Sequence, residues 1–174
     1  MSTLKQALKR QIDHSGTLLL KCSSALSDEE FFHAGASGAS MAWTLGHLSA
    51  LQDWSVNRVF RNAEPKFSRE QREALKGGRE LRSEDLQFIS NRPEVEKTFS
   101  DQQYETIRCL DAFDEERWHE PTPSGCRFPF YGSLWEMLAV HNSWHLGAIS
   151  VSIPRIADLT LTAPRYYTVD PNED

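Results

Sequence analysis

Four long stretches of this chain repeat apolar residues at the spacing of a helix, and none alternates as a strand does, which confines the fold to the all-α class. The first runs from about Thr3 to Ala25, with Leu4, Leu8, Ile12, Leu19 and Cys22 on one face. The second follows Ser40, a good N-cap, and continues to about Arg61. The third opens at Pro93, whose missing N–H is harmless at the first helical position, and reaches about Phe113. The fourth starts at Ser133-Leu-Trp-Glu136, read as a capping box, and stops near Ile153 because Pro154 cannot continue it. Four such helices in 174 residues predict one domain over 1–174, an antiparallel four-helix bundle.

The connections carry their own signals. Ser27-Asp-Glu-Glu30 forms a second capping box and opens a short helical turn through Phe31 and Phe32. Gly35-Ala-Ser-Gly38 reads as a loop, as does Glu120-Pro-Thr-Pro-Ser-Gly125. From Asn62 to Arg92 the sequence is polar, with Pro65, Gly77 and Gly78, and predicts an excursion holding one or two short helices. Its basic stretch, Arg58 to Arg82, is interleaved with Glu64, Glu70, Glu73 and Glu80 and reads as a solvated linker. Beyond Pro154 the chain, from Thr160 to its acidic end, reads as a tail laid on the surface.

Composition excludes several functions. A formal net charge of -6 argues against a nucleic-acid partner, which needs a basic face to displace counterions. No apolar run approaches membrane-spanning length, and the opening Met1-Ser-Thr-Leu-Lys lacks a signal peptide's apolar stretch. The expectation is a cytoplasmic protein with no membrane partner. Cys22, Cys109 and Cys126 are odd in number and widely spaced, which suits reduced thiols.

The fourth helix carries the chemistry. Its apolar stripe reads Leu134, Leu138, His141, His145 and Ala148, so two histidines stand where a bundle expects Leu or Ile. Residues four apart lie one above the other on a helix, and their imidazoles can converge on one ion. A buried imidazole needs partners for its ring nitrogens, and a shared metal supplies them. The rival reading is a pair of half-exposed histidines bonded to carbonyls or water. His47 sits on the second helix in a stripe with Trp43, Leu51 and Trp54, also a polar group among large apolar ones. Three neutral histidines with positions left over would make an open, catalytic type of metal site.

Other arrangements fit less well. His141-Asn-Ser-Trp-His145 has the zincin spacing, but Asn142 stands where that motif needs its Glu base. No Gly-x-Ser-x-Gly, phosphate-cradling loop or Cys-x-x-Cys is present. Cys126 reads as a packed thiol and Glu136 as part of the capping box. Asp53 is either a partner of the metal ligands or simply solvated. His14, His33 and His119 read as surface residues. Gly46 and Gly147, close to the ligands, reflect either close approach at the site or plain helix packing.

Trp43-Thr-Leu-Gly-His47-Leu, followed much later by His141-Asn-Ser-Trp-His145-Leu-Gly-Ala-Ile149, resembles the DinB-like superfamily of metalloenzymes over nearly the whole chain. That resemblance implies a four-helix bundle, often dimeric, with a three-histidine site for nickel, zinc, iron or manganese. Carried onto this sequence, the ligands are His47, His141 and His145. Relatives include S-transferases and isomerases that use mycothiol, bacillithiol or glutathione, and a related domain occurs in iron-dependent ergothioneine sulfoxide synthases. Ala148 departs from the Gln that many relatives carry there.

The expected function is therefore that of a metal-dependent enzyme, a low-molecular-weight-thiol S-transferase, with nickel or zinc favoured over iron or manganese. Its partners would be a small-molecule substrate, a cellular thiol and a second copy of itself in a homodimer. Trp43, Trp54 and Trp144 are the candidate walls of a substrate pocket. Two alternatives stand beside this: iron-dependent oxidation of a thiol, and a non-catalytic, stress-related metal-binding helical protein.

Overall fold

Capping and apolar spacing set the helices, and the computed structural model describes them over residues 3–34, 39–78, 82–153 and 155–156. The long helices are α1 (Thr3–Ser24), α3 (Met41–Asp53), α5 (Arg92–Ala112) and α6 (Tyr131–Ser152), with short helices α2 (Asp28–Phe32) and α4 (Arg69–Ala74) between them. Ser27 and Glu30 close their capping box reciprocally, at 3.2 Å and 2.8 Å. Ser40 caps α3 by accepting from the Trp43 amide at 3.1 Å. Asn91 caps α5, with Pro93 in its first turn. A π-helical segment, Trp54–Phe60, continues α3, so the expected helix to Arg61 is present but changes its hydrogen-bonding pitch. The tail from Thr160 and the Gly35–Gly38 loop lie outside the described residues. Among those residues no strand forms, and no helix is long and apolar enough to cross a membrane.

Three local expectations change. Leu4 is exposed, and Lys5 takes the inward position instead, its Nζ donating to the carbonyls of Asp111 at 3.0 Å and Phe113 at 2.7 Å. Those oxygens lie at the C-terminal end of α5, where a cation suits both the orphan carbonyls and the helix dipole. The capping box at Ser133 is not the start of α6, which begins at Tyr131. An isolated antiparallel bridge joins Pro121 to Phe130, and the Tyr131 amide donates to Glu120 O at 3.1 Å, which fixes the helix entry two residues earlier. Ser133 Oγ instead accepts from the Phe130 amide at 3.2 Å, and Glu136 is exposed.

The third change is in the excursion, which is more than a solvated linker. It holds α4 and a 3₁₀ turn at Ser83–Phe88 as expected. It also buries Ala74, Leu75 and Ile89, the last two within the core beside Leu45 and Phe99. Asp53 anchors it: the carboxylate is fully buried and accepts from Asn57 Nδ2 at 2.7 Å and from the amides of Lys66 at 3.1 Å and Phe67 at 2.9 Å. Asp53 is therefore neither solvated nor a partner of the histidines.

The four long helices form the expected bundle, with two apolar clusters at opposite ends. Leu8 and Ile12 of α1 share one cluster with Leu134 and Leu138 of α6, while Leu19 and Cys22 share the other with Leu146 and Ile149. Hence α1 and α6 run parallel. By the same test α3 and α5 run parallel to each other and opposite to α1, giving an up-down-down-up order in place of strict alternation. The excursion is the cause, because it carries the chain back along the bundle before α5 begins. Between the clusters lies a buried polar level, with Ser15 on α1, Gln52 and Ser55 on or beside α3, Gln102 and Gln103 on α5, and Asn142 on α6. The helices pack most extensively as α3 on α5, α1 on α6 and α1 on α5, and α3 meets α6 over a shorter stretch. That seam is where the histidines lie.

Candidate metal centre

His47 projects from α3 into the seam, and its side chain is largely buried. Its Nδ1 lies 2.7 Å from the carbonyl oxygen of Leu75. A carbonyl only accepts, so Nδ1 carries the ring proton and donates it, which leaves a lone pair on Nε2. That Nε2 faces His141 Nε2 at 3.2 Å, and His145 Nε2 stands 3.1 Å from the same atom. One ring nitrogen from each residue can be chosen so that all lie within 4.8 Å of one another. Trp43, one turn before His47, stacks on its ring at 4.8 Å between centroids and 6° between planes, and meets His145 at 5.9 Å.

The group suits one divalent ion. Nitrogens bonded to a common zinc at about 2.0–2.1 Å stand at most about 4.2 Å apart, a limit that both short separations meet. Without an ion the donor set is unbalanced. A proton on His141 Nε2 can answer the lone pair of one neighbour but not both, and His141 Nδ1 is itself buried without a partner. Burial pushes the His47 ring below its ordinary pKa against the pull of the Leu75 carbonyl. Burial, then the nearby His47 ring, pushes His141 down to about 4. Burial, then His47 and His141, pushes His145 down to about 3. All three are thus neutral at physiological pH, the state a metal needs. Imidazole donors without a carboxylate favour transition metals over calcium or magnesium.

The structure brings His47, His141 and His145 together, but not on the expected stripe. The buried face of α6 is Leu134, Trp135, Leu138, Ala139, Asn142, Leu146 and Ile149, with Asn142 fully enclosed and Ala148 exposed. Both α6 histidines border that face, half-buried, on the side turned to α3. Asn142 takes the inner position and accepts from Gln52 Nε2 at 3.3 Å. Trp43 is at the site. Trp54 packs against the far apolar cluster, outside the rings that meet the histidines. Trp144 is 74% exposed and meets His141 edge-on at 6.2 Å, so it lies on the solvent side of the histidines and does not wall them in.

The sequence reading missed Leu75 and Gly77. A Cβ on Gly77 would lie 3.3 Å from His47 Cε1. An Ala74-Leu75 pair in a charged stretch, with Gly77-Gly78 after Lys76, was the available signal. Gly46 is explained by packing: its Cβ would meet Ile89 Cγ2 at 2.9 Å and Leu75 Cδ2 at 3.2 Å. Nothing lies within 4 Å of a Cβ at Gly147, and neither packing nor close approach accounts for it. His14, His33 and His119 are exposed. None of the three cysteines is in a disulfide. Burial raises the thiol pKa of Cys22 and Cys109, which disfavours the thiolate a nucleophile needs, and Cys126 packs against the second apolar cluster.

No curated protein matches the chain. Residues 11–149, a span that includes all three histidines and most of the four long helices, match the family model of the DinB superfamily, and the chain belongs to that superfamily.

Proposed function

We propose that this protein is a metal-dependent transferase, in which an ion held by His47, His141 and His145 activates a low-molecular-weight thiol for transfer to an electrophilic substrate. The observation that carries this reading is the convergence of three imidazoles between α3 and α6, with His47 Nδ1 held by the Leu75 carbonyl and its Nε2 turned to His141. Among the described residues three imidazoles offer one nitrogen each, and three protein ligands with positions left over for a substrate are the pattern of a catalytic site, not of a closed structural one.

A divalent transition-metal ion, nickel or zinc in the reading that the family resemblance implies, would supply Lewis acidity that stabilises a thiolate at neutral pH. The protein's own part is to hold lone pairs, not protons, toward that position. Leu75 fixes the His47 tautomer, and burial keeps His141 and His145 uncharged. Trp43 steadies the His47 ring, and the exposed Trp144 offers an apolar surface to the organic part of a substrate. In the transfer, sulfur forms a bond to an electrophilic carbon, the thiol proton passes to solvent, and the leaving group departs with its bonding pair.

The test is elemental analysis of protein purified without an affinity tag, followed by conjugation assays pairing electrophiles with glutathione, mycothiol, bacillithiol and cysteine. The expected result is one nickel or zinc per chain and a thioether product that disappears on chelation. Stoichiometric iron with oxygen uptake and no conjugate would replace this reading with oxidative thiol chemistry. Protein that binds no metal would leave a non-catalytic helical protein.

A further inference from the structure

The turn that follows α4 touches the metal group twice. Leu75, buried in the core, lends its carbonyl to His47 Nδ1 at 2.7 Å. Two residues on, Gly77 approaches the same ring on its Cε1–Nε2 side, where an added Cβ would lie 3.3 Å from Cε1 and 3.8 Å from Nε2. Nε2 is the atom that looks across the seam to His141. Gly77 itself is exposed, whereas the His47 ring it faces is largely buried.

Backbone conformation does not explain this glycine. Its neighbour Gly78 has φ +77°, which favours glycine, whereas Gly77 lies outside the left-handed region. What position 77 lacks is only the volume of a side chain, and that volume would stand against the ligand edge of His47. The other sides are occupied: Trp43 covers one face of the ring, and α6 supplies His141 and His145 from across the seam.

We propose that Gly77 is a specificity-determining position, kept without a side chain so that a small thiol can reach an ion held by the three histidines. The proposal rests on the metal reading above and adds the route of approach. The Leu75 anchor sets the turn's distance from the ring, and Gly77 leaves the gap that this distance creates.

Cobalt-loaded protein tests it, with 2-mercaptoethanol as the probe and the thiolate-to-cobalt absorption band as the readout. Gly77→Ala and Gly77→Val should each keep one cobalt per chain. The thiol dissociation constant should rise a few-fold for Ala and about tenfold or more for Val, about 1.4 kcal/mol per factor of ten. Lys76→Ala, an exposed change in the same turn, should leave thiol binding as in wild type. Wild-type affinity in both Gly77 variants would overturn the proposal, as would equal weakening by Lys76→Ala, which would point to general loosening of the turn. Loss of cobalt from Gly77→Ala with helicity intact would also overturn it, because the methyl would then occupy the ion's own space. Wild-type protein that takes up no cobalt would remove the metal reading itself, a failure visible before any variant is compared.

Discussion

His47 Nδ1 donates to the carbonyl oxygen of Leu75 across 2.7 Å, although the two residues are 28 positions apart. This contact decides which nitrogen of the ring faces His141. It makes the excursion part of the site, because the acceptor belongs to the turn after α4. In metal-free protein at neutral pH, the nitrogen chemical shifts of His47 should show a protonated Nδ1 and a bare Nε2. A dominant Nε2–H form would contradict the assignment.

The same burial makes metal-free stability depend on pH. His141 and His145 are held at about 4 and about 3, and His47 is lowered too, all for burial first. In the unfolded chain an imidazole titrates near 6.5. Between these values the unfolded state binds more protons than the folded one, so stability rises with pH. The contribution is complete above about 6.5 and is lost as pH falls toward the folded values. In EDTA, the urea midpoint should drop from pH 7.5 to pH 5.5, and less steeply in a variant with all three histidines replaced by alanine. Equal slopes would contradict this.

Asp53 should be needed for the excursion. Asp53→Ala would leave Asn57 Nδ2 and the Lys66 and Phe67 amides without their acceptor. The expected cost is about 2–4 kcal/mol, given that hydrogen bonds to a charged group contribute more than neutral ones. Metal affinity should fall with it, since the excursion carries Leu75. Urea unfolding with a loss below about 0.5 kcal/mol would show that these bonds matter little.

Gly46→Ala sets two effects against each other. Alanine favours the helix by about 1 kcal/mol. Its methyl would press on Ile89 Cγ2 at 2.9 Å and Leu75 Cδ2 at 3.2 Å, and overpacking of this kind costs about 1–3 kcal/mol. A net loss of up to about 2 kcal/mol is expected in denaturant unfolding. A more stable variant would mean that Leu75 and Ile89 yield freely.

The helices were legible because apolar spacing and caps are local: Ser27 and Ser40 cap the helices expected of them, while Pro93 falls at the second position of a helix that Asn91 caps and Arg92 begins, one residue earlier than its own signal indicates. The direction of α5 was not, since it depends on the end to which a thirty-residue excursion delivers the chain. At the site, His141 and His145 were visible as a pair, but the stripe was drawn through them and not through Asn142. An enclosed amide between apolar turns mimics a surface residue when only the sequence is read. Leu75 and Gly77 were hidden for a different reason: one acts through a backbone carbonyl and the other through a missing side chain, neither of which residue type reveals. His47 was placed by its apolar surroundings and by the family pattern, not by any local link to residues 94 positions away.

Metal occupancy of His47→Ala, measured beside His141→Ala and His145→Ala, is the most direct test of the three-histidine centre. All three variants should stay helical, because alanine is a good helix former and the two apolar clusters remain. All three should lose the ion to a similar degree, while changes at the exposed His14, His33 and His119 leave occupancy as in wild type. Full metal in His47→Ala, with loss from the other two, would contradict the account: the ion would then belong to the α6 pair, and the seam between α3 and α6 would not be a metal centre.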